Sequence, residues 1–178
     1  QPKVNSKTEL QENHTIALLV DNEPGVLARV IGLFSGRGYN IESLTVAETD
    51  LEHNLSRITI VTNGTPMIIE QIKAQLARLV PVHNVTDLTL DGKSVERELA
   101  LVKVVGTGDV RVESLRIADI FRARVLDSTN ESFVFEIVGD TGKLDAFIEL
   151  MQPLGLVDVS RTGVVAITRG TTPLNVAD

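Results

Sequence analysis

One order of hydrophobic patterns runs through this chain twice, and that repetition restricts the fold more than any other feature of the sequence. In the first pass the β-rich run Ile16 to Val20 is followed by Leu27, Val30, Ile31 and Phe34 at helical spacing. Two period-two runs come next, over 40–48 and 55–62, then a second helical pattern of Ile69, Ile72, Leu76 and Leu79, and a last run over 82–90. The second pass repeats that order. It has a strand over 99–105, a helix over 112–122 carrying Leu115, Ala118 and Phe121, and a hairpin of 125–128 and 132–138. A short helix marked by Leu144, Phe147, Ile148 and Met151 stops at Pro153, and a strand pair over 156–161 and 164–168 closes the pattern. Each pass reads βαββαβ, so the expected fold class is α+β: two ferredoxin-like sandwiches of about 75 residues each, with helices on one face of each sheet.

The boundaries follow from breaks in this pattern. Residues 1–13 are polar and are expected to be disordered or an expression remnant outside the fold; the chain starts at Gln1 rather than Met. The first domain spans 14–91, the polar turn Asp91-Gly92-Lys93-Ser94 is the expected linker, the second domain spans 92–170, and 171–178 is a loose tail. A hydrophobic content of 43% supports a real core, and with 3% aromatic residues that core must be filled by Val, Ile and Leu. The net charge of -7 and the absence of a basic patch argue against a nucleic-acid surface; an RNA-binding sheet needs aromatic residues on its strands and basic edges, whereas Tyr39 falls in a loop and the net charge is negative. Zero cysteines exclude disulfides, thiolate metal sites and a cysteine nucleophile, and fit a reducing, cytoplasmic location. No apolar run reaches the roughly 18 residues of a membrane helix.

Chemistry concentrates in the two loops around the first helix. Asp21-Asn22-Glu23-Pro24-Gly25 is a cluster of turn and helix-start residues, in which Asn22 or Glu23 can cap and Pro24 fits the first turn. Gly25 leaves main-chain amides bare at the positive end of that helix, where a carboxylate or phosphate can be held. An ordinary helix start reads the same way from spacing alone. Gly36 and Gly38 end the helix, and Asn40 beyond them either tolerates a left-handed turn or presents an amide that both donates and accepts. Other motifs fail their tests. Gly106-Thr107-Gly108 has Arg111 where a dinucleotide loop needs its third glycine, and Thr141-Gly142-Lys143-Leu144 lacks the hydroxyl residue after the lysine and reads as a helix cap. His14, His53 and His83 show no metal-ligand spacing and read as solvated or strand-surface residues; Glu96, Glu98 and Glu113 read as solvated faces, and no catalytic constellation can be assembled.

The run Asp21 to Leu27, followed by Arg29 to Asn40 and by Ile41, Glu42, Ser43 and Leu44, resembles the amino-terminal ACT domain of the acetohydroxyacid synthase (acetolactate synthase) regulatory small subunits. The resemblance continues through LSRITIVTNG at 55–64, VERELALVKV at 95–104, TGKLDAF at 141–147 and SRTGVVAITRG at 160–170. It implies an amino-terminal ACT domain, a carboxy-terminal ACT-like domain, and a chain with no catalytic residues. By the same resemblance, a branched-chain amino acid such as valine binds the loop Asn22, Glu23, Pro24, Gly25, Val26 and Leu27 of one protomer, and Asn40 and Ile41 of the other complete the pocket. The implied partners are a second copy, paired through the ACT domains, and a catalytic large subunit that carries thiamine diphosphate, magnesium and FAD. No cofactor, nucleic acid or membrane is expected for this chain itself. The alternative is a stand-alone ACT amino-acid sensor acting on another biosynthetic enzyme.

Overall fold

The run Ile16 to Val20 is buried in its entirety, which the sequence explains: alternate residues face opposite sides of a strand, and all five are apolar. The computed structural model describes residues 10–90 and 94–174. In the first unit the elements are β1 (Glu12–Asp21), α1 (Val26–Arg37), β2 (Asn40–Asp50), β3 (Leu55–Gly64), α2 (Pro66–Ala77) and β4 (Val82–Asp87). The strands form an antiparallel sheet in the order β2-β3-β1-β4. Ile16, Leu18 and Val20 of β1 and Ile58 and Ile60 of β3 meet Val26, Val30 and Phe34 of α1 and Ile69, Ile72 and Leu76 of α2. Each such side chain, fully buried, contributes about 1.5–3 kcal/mol of transfer free energy before conformational entropy is counted.

The second unit repeats the plan with β5 (Ser94–Val105), α3 (Gly108–Ile120), β6 (Arg124–Ser128), β7 (Ser132–Gly139), α4 (Thr141–Met151) and β8 (Leu156–Arg161), in the sheet order β6-β7-β5-β8. Its core adds aromatic packing to aliphatic: Phe135 stands edge-on to Phe147 at 6.1 Å between ring centroids, within Val102, Ile137, Leu144 and Met151. Glu98, nearly buried, is paired with Arg161 rather than lying on a solvated face, and Arg161 also reaches Asp145 at 2.7 Å. The expected ferredoxin-like order is therefore present in both halves.

Several boundaries differ from the sequence expectation, each for a visible reason. Strand β1 takes in Glu12 and Asn13, because both lie in register with the end of β3 and the Asn63 side-chain amide donates to Asn13 at 2.7 Å. Helix α3 begins at Gly108, four residues before the expected 112, with Asp109 in its first turn where a negative charge complements the helix dipole. Strand β4 ends at Asp87 rather than running to 90. Residues Ala166–Leu174 group with the first unit and the second compact unit is Val95–Val165, a division by compactness that differs from the expected 92–170. Burial explains this: Ala166 of β9 (Val165–Thr168) and Leu174 pack on Ala17 and Leu88. Leu174 also keeps the start of the expected loose tail on the fold. Of the expected linker, residues 91–93 lie outside the described residues, and Ser94 opens β5 with its hydroxyl donating to the Leu88 carbonyl at 2.8 Å.

His14 is buried, not the solvated residue its sequence context suggests. Its ring bridges Asp87 at 2.7 Å and Glu12 at 2.9 Å, and Lys73 from α2 reaches the same Asp87 carboxylate at 3.2 Å, tying β1, β4 and α2 together. Burial opposes charging this imidazole, but the hydrogen bonds and charges of Glu12 and Asp87 outweigh it and raise its pKa above the ordinary 6.5. A raised folded-state pKa means that the stabilising contribution is complete below the unfolded value and disappears as pH rises through the folded one. Urea midpoints of the wild-type chain are thus expected to fall as pH climbs past about 6.5, and His14→Gln is expected to remove that slope.

A second prediction concerns the turn before β8. Gly155 has φ of 100°, and a Cβ built there would stand 2.0 Å from the Val105 carbonyl oxygen. Gly155→Ala is expected to cost roughly 2–4 kcal/mol in denaturant unfolding, the sum of left-handed strain and a backbone clash. Gly142→Ala, in helical conformation with only ordinary contacts, is expected to be neutral or slightly stabilising.

Candidate functional site

Helix α1 opens differently from α2 and α4. Helix α2 is closed by Thr65, whose hydroxyl accepts from the Ile68 amide, with Pro66 in the first turn as expected; α4 is closed by Asp140, whose carboxylate accepts from Lys143 N at 2.8 Å. At α1 the cap position is Gly25 itself, at φ 86° and ψ -8°, with no side-chain cap. Asn22 and Glu23 do not cap, and Pro24 lies in the turn ahead of the helix rather than in it. The chemistry of those residues suits a cap, but the left-handed backbone at Gly25 takes up the turn, and the helix starts at Val26, two residues after Pro24.

That geometry leaves donors exposed. The helical ladder begins with Arg29 N donating to Gly25 O at 3.1 Å, and the amides of Leu27 and Ala28 lie ahead of it at the positive end of the helix. Asn22, Glu23, Pro24 and Gly25 are exposed, Leu27 is 37% exposed, and the Val26 side chain is buried in the core at 5%. The Val26 amide donates to the Glu23 carbonyl at 3.4 Å. A Cβ at Gly25 would meet nothing within 4 Å, so the space above the helix mouth is open.

The loop is held by contacts that the sequence pattern does not reveal. Asn22 N donates to Asn54 O at 2.9 Å, and the Asn54 side-chain amide returns to Asn22 O at 3.4 Å. Asn54 has φ of 55°, the left-handed conformation Asn tolerates better than most residues. Asp21 N donates to Pro81 O at 2.9 Å while its carboxylate meets His83 Nε2 at 2.6 Å. The only sequence signals were an Asn at a hairpin tip and a histidine after Pro81.

Asn40 and Ile41 stand at the other end of α1. The helix has 12 residues, which at 1.5 Å per residue is about 18 Å, so a single chain does not bring the two expected halves of the site together. Asn40 opens β2, the strand at the edge of the sheet beside β3. Its carbonyl accepts from Thr62 Oγ1 at 2.6 Å and its amide donates to Glu42 at 3.1 Å. The residue lines an open groove of about 850 Å³ with Gly36, Gly38, Tyr39, Asn63 and Gln71. Ile41 is half-buried against the core. Among the described residues no group of three or more His, Cys, Asp or Glu is placed to hold a metal, and no helix is long and apolar enough to cross a membrane.

Comparison with known proteins assigns both halves. The family model for an AHAS small subunit-like ACT domain matches residues 16–84, and that for the small subunit of acetolactate synthase matches 97–170. The chain is 47% identical over 157 residues to the acetolactate synthase small subunit of Aquifex aeolicus, covering 88% of this chain and 81% of that one. It is 47% identical over 156 residues to the acetolactate synthase isozyme 3 small subunit of Escherichia coli, covering 87% and 94%. The crystal structure of the Thermotoga maritima acetolactate synthase small subunit is similar at a TM-score of 0.80 with 39% identity, covering 90% of this chain and 99% of that one. With the fold, both family models and near full-length relatives in agreement, the chain belongs to the family of acetolactate synthase small subunits.

Proposed function

We propose that this chain is the regulatory, non-catalytic subunit of a cytoplasmic acetohydroxyacid synthase, that it activates the catalytic large subunit, and that valine or a related branched-chain amino acid bound between two copies makes the enzyme subject to feedback inhibition. The observation that carries this reading is the uncapped, left-handed start of α1 at Gly25, with Leu27 and Ala28 amides free of the helical ladder. A ligand carboxylate suits those donors, and an Asn40 side chain from a second copy suits the zwitterion because its carbonyl can accept from the ammonium while its amide donates. Ile41 and Leu27 supply apolar surface for a branched side chain.

Two copies are required because Asn40 and Gly25 sit at opposite ends of one helix. The strand β2, which stands at the edge of the four-stranded sheet, supports pairing of the first units into a homodimer. A ligand that touches both copies stabilises only the arrangement that closes around it, which gives it a differential affinity of about 1–3 kcal/mol to pass to a partner. The chemistry of 2-ketoacid condensation, with thiamine diphosphate, magnesium and FAD, then belongs to the large subunit.

Calorimetry with valine, leucine and isoleucine is expected to show saturable binding to the wild-type chain for at least one of them. Gly25→Asp, which sets a carboxylate against that of the ligand, is expected to weaken binding at least tenfold, about 1.4 kcal/mol or more. Unchanged affinity would remove Gly25 from the site. Added to a purified large subunit, the chain is expected to raise synthase activity and to make it valine-sensitive; failure to bind any acetohydroxyacid synthase large subunit would favour the stand-alone sensor.

A further inference from the structure

The face of the first sheet opposite α1 and α2 holds another cavity, of about 950 Å³, and all of its walls belong to the first unit. Its floor is Leu19 of β1, Leu55 and Arg57 of β3, and Asn84 and Thr86 of β4. These alternate along their strands with Leu18, Ile58 and Val85, which face the helices. The segment from Ile167 to Leu174 forms the other wall. Arg57 sits centrally, opposite Leu19 on one side and Ala47 on the other, and its Nη2 donates to the Ala166 carbonyl at 2.7 Å.

Arg57 is half-buried, and among the described residues no carboxylate forms an ion pair with it. Burial alone pushes its pKa below the usual arginine value. Among the described residues the one acidic residue lining the cavity is Asp50, and it is engaged elsewhere: it accepts from His53 N at 3.0 Å and faces His53 Nδ1 at 2.8 Å. A guanidinium taken from water without a counter-charge is costly, and its planar fork is shaped to receive two oxygens at once. Around it are hydroxyls and an amide rather than competing anions: Thr49, Thr86, Thr168, Thr171 and Asn84.

We infer that this cavity binds a small oxyanion, the carboxylate or phosphate group of a compact metabolite, with Arg57 as its anchor and the 167–174 segment closing over it. The site is separate from the Gly25 loop and needs only one copy of the chain. Because Arg57 already holds the Ala166 carbonyl, an anion on its remaining N–H groups would fix both the guanidinium and the segment that begins at Ala166.

The test is calorimetry on the full chain, without amino acid, using inorganic phosphate in one arm and malonate in the other, at constant ionic strength set with sodium chloride. Saturable binding of one equivalent per chain is expected in at least one arm. Phosphate alone would identify a phosphoryl group, malonate alone a carboxylate, and both an oxyanion recognised by charge and shape. Arg57→Gln is expected to weaken that binding at least tenfold, whereas Arg116→Gln, which removes a surface guanidinium paired with Glu113, is expected to leave it within twofold. Neither probe binding, or equal binding by Arg57→Gln, would overturn the inference. Should Arg57→Gln fail to fold, amide hydrogen exchange on the wild-type chain decides: the binding probe must slow exchange across 166–174, and no slowing refutes the site.

Discussion

The structure depends on one strand being dry on both faces. In β1, Ile16, Leu18 and Val20 point to the helices while Ala17 and Leu19 point to the opposite face, and none of the five is more than 6% exposed. A central strand of this kind needs two covers. The first comes from α1 and α2. The second comes in part from the end of the chain, where Ala166 and Leu174 close over Ala17 and Leu88. With the sheet covered in this way, the edge at β2, the mouth of α1 and the cavity around Arg57 are the surfaces open to a ligand.

Much of this was legible in the sequence because the relevant signals are local. Period-two and helical spacing identified every strand and helix of both βαββαβ passes, and Thr65 with Pro66 marked the start of α2 by cap chemistry alone. The start of α1 was harder, since Asn22, Glu23 and Pro24 carry the composition of a cap while the backbone at Gly25 decides the geometry. What could not be read were pairings between residues far apart in the chain. Asn54 holds Asn22 across 32 positions, and Ala166 meets Arg57 across 109. Alternation with Ile58 marks Arg57 as a solvent-facing residue; only the returning chain end shows that it is covered. His14 is another case, because it is held by Asp87, 73 positions away, as well as by its near neighbour Glu12.

Family membership and geometry answer different questions. Membership among acetolactate synthase small subunits rests on near full-length similarity and carries no statement about which atoms contact a ligand. The proposed site rests on geometry instead. Gly25 provides donors without a side chain, Asn40 provides a donor and an acceptor on an edge strand, and a 12-residue helix keeps them apart in any one chain. If both serve one ligand, the site is a property of the pair and its occupancy reports on how two copies are arranged. That is what a subunit that signals to a partner enzyme would need.

The shared nature of the site can be tested with mixed dimers. Chains carrying Gly25→Asp and chains carrying Asn40→Ala would each, alone, bind valine at least tenfold more weakly than the wild type. Mixed and refolded together, they place one intact Gly25 loop opposite one intact Asn40, and the account predicts that a single valine site per mixed dimer reappears in calorimetry with wild-type affinity. No recovery of binding on mixing, or full binding by either variant alone, would contradict a site built from two copies.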